Sequence, residues 1–161
     1  TWQREIDGIL VWQSTYWTSG AAYPDQAQNP YEDPMGWVSG YSTDAGTRRP
    51  WGNGDGRFLY PPEAAAHVAT EPVLDGPVDS IRWEMLRDGI EDYEYLAILR
   101  ELLAQHGGQL DAQRQLQLNE LLDVPAEITS SMTNFTVDPA VVEAQRHRVA
   151  AAVVELSQMR R

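Results

Sequence analysis

The aromatic residues and prolines of this chain are concentrated in its first half. All six tryptophans and five of the seven tyrosines lie within residues 1–83, and eight of the ten prolines precede residue 78. The remainder, 84–161, is rich in Leu, Ala, Gln, Glu and Arg. Because proline interrupts regular structure and the second composition favours helices, we predict a loop-rich half with aromatic surfaces followed by a helical half.

Charge and residue inventory exclude several classes of function. The 161 residues carry 24 acidic side chains against 12 basic ones, a formal net charge of −12, and every cation is arginine. Nucleic acid and anionic membranes are therefore unexpected partners, since both bind cationic surfaces. There is no cysteine, the three histidines are widely separated, and no apolar run approaches the roughly 20 residues of a membrane span. We expect no metal, no cofactor and no membrane segment.

Two short strands and a long loop are predicted in the first half. Residues 6–12 form an apolar run, nearly continuous from residue 9, which is typical of a strand buried on both faces in a parallel sheet or barrel. No strand or helix period persists over 13–50, so we predict a long, aromatic-rich loop. Residues 57–60 form a second strand, and 63–79 a second loop. Because the first strand needs neighbours, we expect the chain to be part of a longer protein.

Three helices are predicted in the second half. Ser80 is the expected N-cap of a long helix over roughly 81–105, which stops at a Gly-Gly pair. A second helix covers about 110–122, and a third starts at Asp138-Pro139, with an N-cap and a proline at the first helical position. Gly89 lies inside the long helix, where we expect close packing against another backbone to compensate its low helix propensity.

The long helix places acidic side chains along one face. Glu84, Asp88 and Asp92 recur at a spacing of four. Like charges four residues apart destabilise a helix, so cations must compensate them or the face must be solvated. Arg82 and Arg87 are the local candidates. An ion-paired or solvated structural face and a catalytic carboxylate cluster are the two interpretations.

The turn before the second strand has the composition of a ligand site. It carries three glycines at alternate positions, Gly52, Gly54 and Gly56. Such glycines permit positive φ and let a ligand approach the backbone closely. Asp55 between two of them, with Trp12, Trp17 and Tyr60 in the same half, suits a sugar, whose hydroxyls need acceptors and whose C–H face lies on aromatic rings. The alternative is a turn that only joins two strands.

Several segments together resemble one enzyme family. The run over 80–96, which includes R-D-G-I-E-D-Y-E-Y-L, is specific, and it is accompanied by Gly-Asp-Gly at 54–56 and Leu-Tyr-Pro at 59–61. Upstream, residues 7–12 resemble a late barrel strand, and 135–139 resemble the start of a final helix. Over nearly its whole length the chain resembles the C-terminal part of glycoside hydrolase family 123-like proteins.

This resemblance implies an α/β fold, the C-terminal portion of a (β/α)8 barrel. Residues 1–79 would supply late strands and ligand-facing loops, and 80–161 the outer barrel helix and a mainly helical C-terminal segment. It also implies an exo-acting β-N-acetylgalactosaminidase-like hydrolase with a retaining, substrate-assisted mechanism, in which the sugar's acetamido oxygen attacks the anomeric carbon. An adjacent Asp-Glu pair orients the acetamido group and protonates the leaving oxygen. This sequence contains no Asp-Glu dipeptide, so we expect the pair in the N-terminal part of the same protein, which becomes a partner.

Ligands of such barrels lie at the C-terminal ends of the strands. The resemblance places four residues of this chain there. It implies that Trp12 and Trp17 are stacking walls, Asp55 an acceptor for sugar hydroxyls and Tyr60 a hydrogen-bonding wall. It places the acidic helix on the barrel's outside. Two alternatives stay open: a non-catalytic carbohydrate-binding or interaction module, and a complete small hydrolase that uses Asp55 with a loop acid such as Glu32.

Overall fold

The computed structural model describes the backbone and side chains of residues 1–17, 29–32, 56–62 and 73–159, and the backbone of 36–38 and 48–50. The chain divides into two compact units. The helical unit comprises Thr1–Ile9 and Asp88–Arg161, and the loop-rich unit comprises Leu10–Arg87.

Three α-helices are present in the described residues: α1, Ile81–His106; α2, Ala112–Glu120; and α3, Pro139–Ser157. Each begins at a side chain that accepts a backbone N–H. Ser80 Oγ accepts from Trp83 N at 3.3 Å, as predicted. Asp138 Oδ1 accepts from Ala140 N at 3.0 Å, also as predicted. α2 begins later than expected because Asp111 caps it, its Oδ1 accepting from Arg114 N at 2.8 Å. None of these helices combines the length and apolar composition that crossing a membrane would require.

The strands of the described residues are short and pair in three antiparallel ladders. These are β1, Gly36–Val38, with β2, Arg48–Pro50; β3, Leu59–Tyr60, with β4, Val78–Asp79; and β5, Thr129–Ser131, with β6, Asn134–Phe135. In the second ladder Leu59 lies opposite Asp79, and Tyr60 opposite Val78. The strand predicted over 57–60 is therefore confirmed in its second half. Helices together with small sheets agree with the predicted α/β class.

The strand predicted over residues 6–12 is wrong for this structure. These residues form no strand, and Ile9 and Leu10 are 60% and 87% exposed. A strand requires neighbours for its N–H and C=O groups, and no described segment pairs with this one. The segment is instead anchored just upstream, where the Trp2 indole N–H donates to the Leu122 carbonyl at 2.7 Å.

The loop predicted over residues 13–50 also requires correction. It contains β1 and β2, which align Trp37 opposite Arg49. Three-residue strands are too short to show a period, so the alternation that reveals longer strands was absent. The hairpin β5–β6 of the helical half was not predicted, for the same reason.

The core of the helical unit lies where the three helices meet. Its buried apolar side chains are Leu99 and Leu103 of α1, Leu118 of α2, and Val149, Ala152 and Leu156 of α3. The period of apolar residues in the sequence predicts Val142, Val149, Ala152, Val153 and Leu156 on the inward face of α3, and the burial of three of them confirms it. On α1 the same period predicts an inward stripe from Met85 to Leu103, of which only the C-terminal half is confirmed, because Met85 and Ile90 are 55% and 51% exposed. Burial of a full Leu side chain contributes about 2 kcal/mol, so this small cluster is the main stabilising feature of the unit.

Gly89 provides a test of helix propensity. The expected close packing is absent: a Cβ at Gly89 would meet nothing within 4 Å. We therefore expect Gly89→Ala to raise the free energy of unfolding by about 0.7 kcal/mol, since alanine loses less backbone entropy in a helix. Urea unfolding followed by circular dichroism measures this. Gly108→Ala, in the 3-10 turn after α1 and equally unobstructed, is the control with a smaller gain. A loss of stability in Gly89→Ala would contradict the open surroundings of this glycine.

The ion pair between α2 and α3 provides a test of pH dependence. Arg114 donates through Nε to Glu155 Oε1 at 3.0 Å and through Nη2 to Oε2. This hydrogen bonding holds the pKa of the Glu155 carboxyl below its usual range. Because the folded-state pKa is lowered, the stabilisation is present above the unfolded-state pKa and is lost as the pH falls through the folded-state value.

We expect Glu155→Gln to be slightly less stable than the wild type at neutral pH, and this difference to disappear on acidification below about pH 4. Urea unfolding across an acidic pH series measures the difference. Glu143→Gln, an exposed glutamate of the same helix, should leave the wild-type profile unchanged. A difference that stayed constant down to low pH would mean that the carboxylate charge is not responsible.

Candidate sugar-binding site

Residues 12–17 and 56–60 are held together in the loop-rich unit by backbone hydrogen bonds. The Ser14 carbonyl accepts two N–H groups of the second segment, at 2.9 and 3.0 Å. The Tyr16 N–H donates to the Gly56 carbonyl at 2.7 Å. Three of the four predicted sugar contacts therefore lie on two segments that are fixed to each other.

Gly56 lets Trp12 pack directly on the turn. Its φ is +77°, a left-handed backbone conformation that residues other than glycine rarely adopt. A Cβ there would lie 3.0 Å from Tyr16 Cβ and 3.1 Å from Trp12 Cζ2. The Trp12 and Tyr16 rings meet edge to face, with centroids 5.1 Å apart. Trp12 nevertheless stays 51% exposed, so a fixed indole presents half of its surface to solvent.

Trp17 is held by its ring nitrogen. Its Nε1–H donates to the Leu59 carbonyl at 2.7 Å, and the side chain is half-buried. The bond fixes the orientation of the indole beside the strand that carries Tyr60. A ring restrained in this way loses little conformational entropy when a ligand packs on it.

Tyr60 contacts another tyrosine and an arginine. Arg82 Nη2 donates to the Tyr60 hydroxyl at 2.6 Å, and its Nε donates to the Arg57 carbonyl at 3.0 Å. The Tyr31 ring centroid lies 5.2 Å from that of Tyr60, and the Tyr31 hydroxyl donates to the Pro61 carbonyl at 2.7 Å. The Tyr60 side chain is thus restrained at its hydroxyl and at its ring.

A buried polar layer supports these aromatic residues. Arg57 is 3% exposed and donates through Nε to the Tyr16 carbonyl at 3.1 Å. Ser80 is 8% exposed, and its hydroxyl donates to the Phe58 carbonyl at 2.6 Å while capping α1. The start of α1 is consequently tied to the segment that precedes Tyr60.

The structure brings together three of the four predicted site residues. Trp12, Trp17 and Tyr60 lie on the paired segments described above, whereas Asp55 lies outside the described residues. Sequence reasoning missed four supporting residues, Tyr16, Tyr31, Arg57 and Arg82. Apart from Trp12, which the Tyr16 ring contacts, their partners are distant in sequence, and the one available signal was the high aromatic content of the first half.

The acidic face of α1 is ion-paired in part. Arg146 of α3 donates to both carboxylate oxygens of Asp92, at 2.5 and 3.0 Å, and this hydrogen bonding raises the pKa of Arg146. Arg87 pairs with Glu84 at 2.6 Å, as predicted. Arg82 does not pair with the acidic face but binds Tyr60 and the Arg57 carbonyl. Within the described ranges no group of three or more His, Asp or Glu side chains could hold a metal ion. These contacts favour the structural interpretation of the face.

The helical unit has a polar cavity of its own, of about 620 Å³, around Trp2. The Arg100 guanidinium lies 4.8 Å above the Trp2 ring, and the Tyr93 ring meets it edge to face at 5.2 Å. None of the predicted sugar contacts lines this cavity. Its contacts account for the anchoring of the first residues to the helices.

Comparison with known proteins gives one family. The family model described as "Glycoside hydrolase 123, catalytic domain" matches residues 1–99, which is more than half of the chain. The matched stretch includes Trp12, Trp17, Asp55 and Tyr60. No curated protein and no solved structure matches the chain.

Proposed function

Because this chain belongs to glycoside hydrolase family 123, we propose that it forms the sugar-binding part of an exo-acting hydrolase that resembles β-N-acetylgalactosaminidases. The family match over residues 1–99 carries this proposal. Within the match, the proposal assigns substrate contact to Trp12, Trp17, Asp55 and Tyr60.

The geometry of the loop-rich unit supports carbohydrate binding. Sugars combine apolar C–H faces with many hydroxyl groups, and they are bound by exposed aromatic rings with a few fixed polar groups. Trp12 supplies a restrained and half-exposed ring. Tyr60 supplies a restrained hydroxyl. Asp55 directly precedes Gly56 in the sequence, and Trp12 packs on Gly56. We assign Asp55 the role of acceptor for sugar hydroxyls.

The proposed reaction is retaining and substrate-assisted. The acetamido oxygen of the substrate attacks the anomeric carbon, an aspartate orients the acetamido group, and the following glutamate protonates the leaving oxygen. Asp-Glu does not occur as a dipeptide in this sequence. We therefore assign this pair to an N-terminal part of the same protein. Residues 1–79 would supply ligand-facing loops of a (β/α)8 barrel, and 80–161 its outer helices.

A non-catalytic carbohydrate-binding or interaction module is the second candidate. The observation in its favour is the same absence of the Asp-Glu dipeptide. Both candidates predict sugar binding by Trp12, but the module would not hydrolyse glycosides in any form of the protein. The exposed Trp12 surface alone does not separate them, whereas turnover does.

Tryptophan fluorescence tests the binding step. Titration of the full gene product with methyl β-N-acetylgalactosaminide should quench or shift the emission, because a sugar on Trp12 replaces water at its ring. Trp12→Ala should weaken binding at least about tenfold, equivalent to losing about 1.4 kcal/mol of contact. Trp83→Ala, a partly exposed tryptophan of α1 outside the site, should bind as the wild type does. Equal binding by Trp12→Ala and wild type would overturn the assignment of this residue.

A further inference from the structure

The hydrogen bond between Arg82 and Tyr60 determines what the Tyr60 hydroxyl can do. A guanidinium has donors and no acceptor, so the phenol oxygen must be the acceptor in the 2.6 Å contact with Arg82 Nη2. The hydroxyl hydrogen therefore points away from Arg82. Among the described residues it has no other partner.

Arg82 is itself held in place. Its Nε donates to the Arg57 carbonyl at 3.0 Å, and its guanidinium carbon lies 5.7 Å from the centre of the Tyr60 ring. It projects from the first turn of α1, which the Ser80 hydroxyl ties to the Phe58 carbonyl at 2.6 Å. The planar guanidinium thus donates to both the Arg57 carbonyl and the Tyr60 hydroxyl. A lysine ammonium would not reproduce this pair of hydrogen bonds.

From these contacts we propose that Arg82 is a positioning residue that fixes the Tyr60 hydroxyl as a donor toward an acceptor oxygen of the bound sugar. The inference rests on the proposed function, since it takes Tyr60 as a sugar contact. It adds the polarity of that contact: the ligand atom facing Tyr60 is an ether or carbonyl oxygen, or a hydroxyl that accepts. Without Arg82 the phenol would be free to rotate and to accept as well as donate.

A double-mutant cycle on sugar affinity separates positioning from general structural support. The variants are Tyr60→Phe, Arg82→Gln and the two combined, titrated with methyl β-N-acetylgalactosaminide in the full gene product. Tyr60→Phe should weaken binding about tenfold and Arg82→Gln about fivefold, as expected for loss or misorientation of one hydrogen bond. In the Tyr60→Phe background, Arg82→Gln should change affinity less than about twofold, because it acts through the missing hydroxyl.

Two further variants serve as controls. Arg87→Gln removes a more exposed arginine of the same helix, paired with Glu84, and should bind as the wild type does. Arg82→Lys keeps the positive charge and should reproduce the loss seen in Arg82→Gln. Thermal unfolding of each variant identifies any that do not fold. If Arg82→Gln does not fold, Arg82→Lys replaces it in the cycle.

The outcomes are distinct. Wild-type affinity in Arg82→Gln, or an equal loss with and without the Tyr60 hydroxyl, would overturn the positioning role and leave the proposed function intact. No saturable sugar binding by the wild-type protein would instead overturn the proposed function, and the inference with it.

Discussion

Leu99→Ala is expected to destabilise the helical unit by about 3 kcal/mol, within the usual range of about 2 to 5 kcal/mol for a buried leucine. Leu99 is 0% exposed and belongs to the cluster formed by α1, α2 and α3. Truncation removes apolar contacts and leaves a cavity that three packed helices fill only in part. The cluster has six buried side chains among the described residues, so one truncation removes a large share of its packing.

Urea unfolding followed by far-ultraviolet circular dichroism measures this effect, since helices dominate the signal. Ile98→Ala is the matched control: it removes an aliphatic side chain of the same helix that is 44% exposed. It should cost less than about 1 kcal/mol. Equal losses in the two variants would show that Leu99 does not occupy the centre of this core.

Gly56→Ala is expected to destabilise the loop-rich unit by about 2 kcal/mol, from left-handed backbone strain together with overpacking. The new Cβ would be forced against Tyr16 Cβ at 3.0 Å and Trp12 Cζ2 at 3.1 Å. Trp12 must then move, so sugar affinity should fall at least about fivefold under the proposed function, in proportion to about 1 kcal/mol.

Tryptophan fluorescence follows both effects, because five of the six tryptophans belong to Leu10–Arg87. Gly76→Ala provides the control within the same unit, since its Cβ would meet nothing within 4 Å. It should remain within about 0.5 kcal/mol of the wild type. Unchanged stability in Gly56→Ala would contradict the left-handed turn on which the site is built.

Local chemistry predicted the helices well. An N-cap side chain such as that of Ser80 or Asp138 accepts a hydrogen bond from a backbone N–H two or three residues later. Because both groups are close in sequence, a local pattern is enough to predict the start of the helix. The inward face of α3 follows from its period in the same way. The strand predicted over residues 6–12 failed because a strand is defined by a distant partner, and an apolar run does not specify one.

The candidate site shows the same division. The aromatic residues and the glycine turn pointed to Trp12 and Tyr60, and Gly56 has the positive φ that the turn composition allowed. Arg82 was expected to neutralise the acidic helix face, but it binds Tyr60 instead. Whether Arg82 binds a carboxylate of its own helix or a phenol 22 residues upstream depends on tertiary structure. The pairing of Asp92 with Arg146, 54 residues away, was inaccessible for that reason.

Turnover of p-nitrophenyl β-N-acetylgalactosaminide by the full gene product is the decisive measurement for the proposed hydrolase. We expect release of p-nitrophenol by the wild type, a loss of at least about tenfold in kcat/KM in Trp12→Ala and in Asp55→Asn, and unchanged turnover in Trp83→Ala. The 161-residue chain alone should be inactive. Saturable sugar binding without any turnover by the full gene product would contradict the proposed hydrolase function and favour a binding module. Turnover by the 161-residue chain that Asp55→Asn abolishes would instead favour a complete small hydrolase.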